Sequence, residues 1–290
     1  MILAEKSVGD LFSVFQQQLQ PLYPAEEIRS MLFRLFEHHL GWSRADVHLK
    51  KATLLNEPSQ KIFENALEQL HRSVPIQYII GSTKFLGLSL RITPAVLIPR
   101  PETEELAALV IQDHEQMQLP DPSFLDIGTG SGCLALAIKD AFRHSGVTAI
   151  DNSQAALEIA MQNASKNQLC VDFRRVDILH TETSLEFTWF NTIISNPPYI
   201  PESDKTKMHA NVLDHEPASA LFVPDENPLL FYQAIADFSM KHLKHSGILY
   251  VEIHERFGQT CVSILKKAGF QKIDVLKDMQ GKDRFIRASI

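Results

Sequence analysis

The stretch FLDIGTGSGCLALA, residues 124–137, constrains the fold more than any other part of the chain. Apolar residues lead into Asp126, glycines follow at Gly128, Gly130 and Gly132, and an apolar helical pattern comes next. Glycines let the backbone approach a ligand closely and adopt positive φ, and the helix start behind them offers free N–H groups to an anionic group. A strand, a glycine loop and a helix in this order predict an α/β sheet with a ligand site at the loop. The alternative is a flexible turn without a ligand.

The chain after about residue 102 alternates strand and helix patterns as such a sheet requires. Apolar runs typical of strands cover residues 123–127, 147–151, 172–176, 191–195, 248–253, 272–276 and 284–288. Helical patterns separate most of them, notably at residues 134–142, 154–166, 228–243 and 257–268. This alternation predicts a mostly parallel sheet with helices on both faces.

The first seventy residues contain only helical patterns. Apolar side chains recur at helical spacing within residues 8–19, 28–36 and 62–70. Pro24 and Pro58 stand near two of the predicted helix starts, where a missing N–H costs nothing. These patterns predict a small N-terminal helical bundle.

Residues 75–101 follow a different pattern, which we interpret as a connector between two domains. Residues 78–80, then Gly81, then residues 85–90 predict a strand, a turn and a second strand. Pro94, Pro99 and Pro101 predict a stiff passage after this hairpin. The predicted domains are a helical bundle at 1–74, a hairpin with a proline-rich linker at 75–101, and a sheet domain at 102–290.

The composition is that of an ordinary globular protein, with 44% apolar and 22% charged residues. The formal net charge of −7 does not favour nucleic acid or an anionic membrane as the default partner. Cys133, Cys170 and Cys261 lie far apart and predict reduced thiols. The sequence shows no secretory signal pattern and no apolar run near the roughly 20 residues that span a bilayer. We therefore expect a soluble cytoplasmic protein.

Two acidic residues end the strands that follow the glycine loop. Asp151 lies 23 positions after Gly128, where a carboxylate can accept hydrogen bonds from both hydroxyls of a ribose. The alternative is that Asp151 only caps the helix that begins near Gln154. Asp177 ends the next strand and can accept the exocyclic amine of an adenine, while Ile178 packs against the ring. A loop aspartate without a ligand is the alternative there.

The motif SNPPY, residues 195–199, follows the fourth predicted strand. Two consecutive prolines end a strand and fix the turn, so the carbonyl of Pro197 is held in place with no competing N–H from Pro198. The side-chain oxygen of Asn196 and this carbonyl are two acceptors that match the two hydrogens of a planar NH2 group. Tyr199 offers a flat apolar wall to a planar substrate. The alternative is a rigid turn without a chemical role.

Together these segments resemble the class I S-adenosylmethionine-dependent methyltransferases, whose amino-methylating members carry [ND]-P-P-[YFW]. The resemblance implies a Rossmann-like domain with a mostly parallel seven-stranded sheet, and S-adenosylmethionine as the methyl donor. Two acceptors on an amide nitrogen would favour its pyramidalisation and stabilise the positive charge that develops as it attacks the methyl group. Such chemistry requires no metal.

The resemblance is closer to one family, the release-factor glutamine N5-methyltransferases of the HemK/PrmC type. It is carried by RSVPIQYIIG (72–81), LIPRPETEEL (97–106), DIGTGSG (126–132), NPPYI (196–200), HEPASALF (215–222) and KDMQGKDRF (277–285). These motifs span essentially the whole chain. The family has an N-terminal helical bundle, a short hairpin linker and a Rossmann-like catalytic domain.

The resemblance also implies roles for residues of this sequence. The loop residues Gly128, Thr129, Gly130, Ser131 and Gly132 would contact the methionine part of the donor. Asp151 would bind the ribose, and Asp177 and Ile178 would flank the adenine. Many relatives have an aromatic residue where this chain has Ile178. Asn196, which also adjoins the donor, would clasp the substrate glutamine together with Pro197, Pro198 and Tyr199; in the family this glutamine belongs to a Gly-Gly-Gln tripeptide of peptide-chain release factors.

The implied partners are peptide-chain release factors, with the helical bundle helping to bind them. We expect a monomer with no membrane partner and no direct nucleic-acid partner. We also expect no metal, because His38-His39 and His242/His245 lack further ligands at suitable spacing. The nearest alternative is an adenine-N6 DNA or RNA methyltransferase, which shares NPPY. A non-catalytic nucleotide-binding regulator is a second. A dehydrogenase is a third, although Cys133 replaces the last glycine of its G-x-G-x-x-G pattern.

Four residues in the shared motifs have two open interpretations. Arg100, Glu102, Thr103 and Glu216 either line the mouth of the active site or hold the linker against the catalytic domain. The sequence does not distinguish these roles.

Overall fold

The computed structural model describes residues 6–180 and 187–290. The chain forms two compact units. The first comprises Met1–Gly81 with His209–His215, and the second comprises Ser82–Met208 with Glu216–Ile290. The domain boundaries drawn from the sequence at 74/75 and 101/102 stay a prediction.

The first unit is helical, as the sequence predicts. Its helices are α1 (Val8–Leu19), α2 (Ala25–Leu40), α3 (Arg44–Leu49), α4 (Glu57–His71) and α5 (Ile76–Ile80). Ser7 and Ser43 begin α1 and α3 with capping boxes, each paired with an aspartate three residues on. Phe36 and Phe63 lie in the core with ring centroids 4.6 Å apart. Aromatic and leucine side chains at helical spacing therefore build this core.

The prediction of a strand at residues 78–80 is wrong, because these residues belong to the helix α5. The amide of Ile79 donates to the carbonyl of Pro75, which precedes the helix, and Gly81 ends it with a φ of +75°. Ile76 is buried in the helical core. Packing in that core therefore prevails over the strand preference of β-branched residues.

The hairpin lies one segment later, in the second unit. Strands β1 (Ser82–Phe85) and β2 (Leu88–Arg91) pair antiparallel around a turn at Leu86 and Gly87. The buried amide of Asn163 accepts from the backbone N–H of Arg91 at 2.5 Å and donates to the carbonyls of Arg91 and Ser131 at 3.1 and 2.9 Å. This one side chain connects the hairpin, a helix and the glycine loop.

The second unit is built around a seven-stranded sheet. Its strands are β3 (Ser123–Ile127), β4 (Gly146–Asp151), β5 (Asp172–Arg175), β6 (Phe190–Ser195), β9 (Leu243–Glu252), β10 (Lys272–Lys277) and β11 (Asp283–Ser289). A short parallel pair, β7 (Ile200–Pro201) and β8 (Phe222–Val223), lies apart from this sheet. The helices are α6 (Pro101–Met117), α7 (Cys133–Ala141), α8 (Gln154–Lys166), α10 (Leu230–His242) and α11 (Gly258–Ala268), and the short α9 (Ala210–Leu213) belongs to the first unit. The sequence patterns identified all of these sheet helices except α6.

The strand order is β10-β11-β9-β6-β3-β4-β5, and β11 runs in the direction opposite to the other six strands. The predicted mostly parallel, seven-stranded α/β fold is therefore confirmed. The chain progresses outward from β3 through β4 to β5 and then returns to β6 on the other side of β3. Ligands of open α/β sheets bind at such a reversal, beyond the carboxyl ends of the strands. The glycine loop after β3 and the SNPPY motif after β6 meet at this place.

No helix within residues 6–180 and 187–290 combines the length and apolar character needed to cross a membrane.

Candidate active site

The glycine loop connects β3 to α7 and is held from behind by a buried carboxyl group. Asp126 Oδ2 accepts from Thr129 Oγ1 at 2.6 Å and from the backbone N–H of Ala135 at 3.2 Å. Burial raises the pKa of Asp126 to about 7, with a smaller contribution from the charge of Asp151, although its two hydrogen bonds act in the opposite direction. Asp126 therefore shapes the loop and does not face a ligand.

Gly132 is the glycine of this loop that the packing requires. Its φ is +83°, and a Cβ atom at this position would lie 3.2 Å from the Cβ of Ala160 on α8. A side chain here is disfavoured, because α8 would have to give way slightly and because a positive φ strains residues other than glycine.

Asp151 lies at the end of β4, beside the loop. Its Oδ2 accepts from the backbone N–H of Gly130, and its Oδ1 accepts from that of Ser153, both at 2.9 Å. Burial raises the pKa of Asp151. Ser153 is the residue that caps α8, accepting from the N–H of Ala156 at 3.2 Å. The capping role considered for Asp151 thus belongs to Ser153.

Asp177 and Ile178 follow β5. Asp177 accepts from the backbone N–H of Leu179 at 2.9 Å and contacts the ring of His180 at 2.8 Å. Burial raises the pKa of Asp177, but the hydrogen bonds from His180 and Leu179 outweigh it and lower the value overall. Ile178 is buried and presents an apolar side chain beside this carboxylate. The pair combines an ionised acceptor with an apolar wall.

A cavity of about 300 Å³ joins these segments. Of the residues named from the sequence, it is lined by Gly128, Gly130, Asp151, Asp177, Ile178, Asn196, Pro197 and Pro198. The described residues that line the cavity do not include four others named from the sequence: Thr129, Ser131, Gly132 and Tyr199. The cavity also has walls that the sequence did not reveal, from residues 95–97 of the proline-rich passage and from Phe231 and Ile235 of α10. Mostly apolar walls with the carboxylates of Asp151 and Asp177 among them suit a nucleoside-sized ligand.

The SNPPY motif lies at the carboxyl end of β6, between β3 and β9. Ser195 is fully buried and donates its hydroxyl to the carbonyl of Ile127 at 2.8 Å, which ties the start of the motif to β3. Asn196 donates through Nδ2 to Thr103 Oγ1 at 3.0 Å. Within the described residues no donor reaches its Oδ1. Asn196 therefore holds one polar atom on the protein and keeps the other available.

Tyr199 faces a different environment from the rest of the motif. Its hydroxyl donates to Glu252 Oε1 at 2.9 Å, and its ring packs edge-on against His254 with centroids 5.9 Å apart. Burial raises the pKa of Tyr199, and the neighbouring Glu252 raises it further. Its predicted contact with substrate stays a prediction.

Thr103 and Glu252 belong to the same hydrogen-bonded group, and sequence reasoning missed their connection. Thr103 Oγ1 donates to Glu252 Oε2 at 2.9 Å, and both residues are buried. Glu252 lies within the otherwise apolar run ILYVEI, residues 248–253. An acidic residue in such a run was the available signal.

Arg100 and the buried Glu216 form an anchor for the proline-rich passage. Glu216 Oε1 pairs with Arg100 Nη2 at 2.6 Å, and Oε2 accepts from the backbone N–H of Ile98 at 3.1 Å. The side chain of Glu216 is 1% exposed and that of Arg100 is 32% exposed. Of the two open interpretations, this geometry supports an anchor next to the cavity.

No group of three or more histidine, cysteine, aspartate or glutamate side chains that could hold a metal ion occurs within residues 6–180 and 187–290. The absence of a metal stays a prediction.

Comparison with known protein families places both parts of the chain. The family model "Methyltransferase small domain" matches residues 107–222. The family model "PrmC N-terminal domain" matches residues 10–81.

Whole-length relatives decide the family. A "Release factor glutamine methyltransferase" from Bacteroides thetaiotaomicron is 40% identical over 275 residues, covering 94% of this chain and 97% of the relative. A protein of the same name from Flavobacterium psychrophilum is 38% identical over 276 residues, covering 95% and 96%. The chain belongs to the release factor glutamine methyltransferase family. The resemblance inferred from the motifs is thereby confirmed.

The fold of this family member also resembles solved methyltransferase structures. A T. thermophilus 16S rRNA methyltransferase in complex with AdoMet and guanosine matches with a TM-score of 0.51 at 16% identity. The match covers 72% of this chain and 49% of that one. At this level of identity the likeness concerns the fold alone.

Proposed function

We propose that this protein transfers a methyl group from S-adenosylmethionine to the side-chain amide nitrogen, N5, of a glutamine in peptide-chain release factors. The glutamine is that of the Gly-Gly-Gln motif. One observation carries the proposal: the Asn196 amide and the adjoining Pro197 line the same cavity as Gly128, Gly130 and Asp151. The names of the relatives supply the substrate class.

The residues of the cavity suit the methyl donor. The carboxylate of Asp151 would accept from the ribose hydroxyls, and Asp177 would accept from the adenine amine beside the apolar Ile178. Gly128 and Gly130 let the backbone approach the methionine part. When bound, the donor supplies an electrophilic methyl group on a sulfonium. AdoMet in the similarly folded rRNA methyltransferase supports this choice.

The acceptor side is built from two oxygens. An amide nitrogen is a weak nucleophile because its lone pair is delocalised into the carbonyl. Accepting both of its hydrogens at Asn196 Oδ1 and the Pro197 carbonyl would favour pyramidalisation and stabilise the charge that develops on nitrogen. As the new N–C bond forms and the S–C bond breaks, the electron pair stays on sulfur; the surplus nitrogen proton then leaves to water. Positioning alone contributes about 7–11 kcal/mol to such a step.

The remaining assignments belong to the same proposal. The helical unit helps to bind the release factor, and the protein acts as a monomer in the cytoplasm without a metal, a membrane or a nucleic acid. Pro198 and Tyr199 complete the clasp around the glutamine.

The direct test uses a purified release factor and a donor labelled with tritium in its methyl group. We expect label in the intact release factor and none after the tripeptide glutamine is replaced by alanine. Equal labelling of the two substrates would contradict the proposal. An adenine-containing oligonucleotide serves as a competing acceptor and should remain unlabelled.

A further inference from the structure

Four side chains behind the cavity form one unbroken hydrogen-bonded row. Tyr199 Oη donates to Glu252 Oε1 at 2.9 Å, and Thr103 Oγ1 donates to Glu252 Oε2 at 2.9 Å. Asn196 Nδ2 donates to Thr103 Oγ1 at 3.0 Å. Thr103 and Glu252 are 2% and 1% exposed, so water does not replace these partners. The row therefore runs from the Tyr199 hydroxyl through a buried carboxylate and Thr103 to the Asn196 amide, which lines the cavity.

The topology of the sheet brings the members of the row together from three segments. Ser195 of β6 pairs with Val251 of β9. The next residues, Asn196 just after β6 and Glu252 at the end of β9, therefore lie side by side. Thr103 comes from the first turn of α6. None of these contacts is local in sequence.

While Glu252 is ionised, the hydrogen bonds of the row can run in one direction only. An ionised carboxylate only accepts hydrogen bonds, and each oxygen of Glu252 receives one hydroxyl. The single hydroxyl hydrogen of Thr103 is thus used on Glu252, which leaves Thr103 only lone pairs to offer Asn196. The NH2 end of the Asn196 amide must therefore face Thr103, and its oxygen must face away.

This direction matters because the two ends of an asparagine amide have nearly the same shape but opposite hydrogen-bonding character. A rotation of the Asn196 amide by half a turn would present NH2 to the NH2 group of the substrate, donor against donor. Only the orientation set by Thr103 presents an acceptor.

We propose that Thr103 is a positioning residue that fixes the amide orientation of Asn196, and that Glu252 sets the direction of the Thr103 hydroxyl. This inference rests on the proposed function, because the orientation matters only for an acceptor that must receive hydrogens from a substrate nitrogen.

The protonation of Glu252 gives the row a pH dependence. Burial raises the pKa of Glu252 to about 7, although its hydrogen bonds with Thr103 and Tyr199 and the charge of Arg284 lower it. The ionisable groups that interact with Glu252 are Tyr199, Glu102, Arg284, Tyr232 and Cys133. A protonated carboxyl can donate to Thr103, which then can donate to Asn196 and hold its amide in the unproductive orientation. We therefore expect kcat to fall as the pH falls below about 7.

The test compares Thr103→Val, Thr103→Ser and Glu252→Gln in the full-length protein. Thr103→Val keeps the volume but loses the hydroxyl, so we expect kcat for the release factor to fall by about 10-fold to 10²-fold, since small misplacements cost that much. The Kd for S-adenosylmethionine, measured by calorimetry, should stay near that of the wild type. Thr103→Ser should restore most of the activity. Glu252→Gln should lower kcat and remove its decline below about pH 7.

Thr192→Val is the matched control. Thr192 is a fully buried threonine whose hydroxyl lies 2.6 Å from His114 Nε2, away from the row. Its variant should lose stability without losing kcat. Wild-type kcat in Thr103→Val, or equal losses in Thr103→Val and Thr192→Val, would overturn the positioning role. If Thr103→Val does not fold, a wild-type pH profile of kcat in Glu252→Gln would overturn it. Absence of methylation by the wild type would instead overturn the proposed function.

Discussion

At the scale of single residues, the polar groups at the cavity divide into two sets with different tasks. Asp151 and Asp177 have carboxylate oxygens already held by backbone N–H groups, which keeps them in place for a polar ligand. Asn196 is held through one end of its amide only. Substitutions in the two sets should therefore affect different steps.

We expect Asn196→Ala to abolish turnover while largely sparing donor binding, because the lost acceptor faces the substrate. A loss of one preorganised group at a developing charge costs on the order of 10²–10³ in kcat. Single-turnover kinetics with labelled donor measure the change. A variant that loses donor affinity by orders of magnitude but turns over normally at saturation would assign Asn196 to the donor instead.

Asp151→Ala is the complementary variant in the same experiment. The loss of a charge-assisted hydrogen bond costs about 1.5–3 kcal/mol, so Kd for the donor should rise by about one to two orders of magnitude. At saturating donor, kcat should change little. An unchanged Kd would show that the ribose is held elsewhere.

At the scale of elements, the proline-rich passage between β2 and α6 contributes a wall of the cavity although it has no regular structure. Residues 95–97 line the cavity, and the Glu216 anchor holds the backbone next to them at Ile98. The prolines restrict this passage, but a specific partner must still fix its position. Glu216 supplies that partner from a distant part of the sequence.

Glu216→Ala should lower the free energy of unfolding by about 1–3 kcal/mol, because it leaves the Ile98 N–H without its acceptor and Arg100 without its carboxylate. Urea denaturation measures this loss. Glu216→Gln keeps an acceptor and should cost less. Glu226→Ala, at an exposed glutamate nearby, should stay within about 0.5 kcal/mol of the wild type. Equal free energies of unfolding for Glu216→Ala and Glu226→Ala would show that the contacts of Glu216 do not stabilise the protein.

At the scale of the whole molecule, buried carboxyl groups link stability to pH. The pKa of Asp126 is raised from 3.8 to about 7 by burial. Between about pH 4 and pH 7 the folded protein therefore retains a proton that the unfolded chain has released. This proton contributes its full stabilisation below the pKa that Asp126 has in the unfolded chain. The stabilisation is lost as the pH rises through the higher pKa that Asp126 has in the folded protein.

Asp126→Asn should remove this contribution, because the amide resembles the neutral acid and does not ionise. Each pH unit across the window is worth about 1.4 kcal/mol per proton, which bounds the effect near 4 kcal/mol. Thermal unfolding of the donor-free protein at about pH 5 and pH 8 measures it, with the other ionisable groups common to both proteins. The variant should lose less Tm than the wild type on going to the higher pH. Parallel pH profiles would contradict the raised pKa of Asp126.

The sequence alone determined the seven strands of the sheet and most of the helices between them, the glycine loop after β3 and the candidate residues at strand ends. These features depend on period, glycine placement and proline placement, which are local properties of the chain. The sequence misassigned residues 78–80, where apolar β-branched residues form the helix α5 because Ile76 packs into the helical core. Local preference cannot report a distant packing partner.

Only the tertiary structure decided how polar side chains from different segments pair. Thr103, Asn196 and Glu252 lie 93, 149 and 56 positions apart from one another in the sequence and meet because β6 and β9 are adjacent strands with α6 beside them. Their hydrogen bonds depend on separations of about 3 Å, which follow from strand register and not from residue type. The residue types of this site can therefore be named from the sequence, but the direction in which its hydrogen bonds run is a property of the fold.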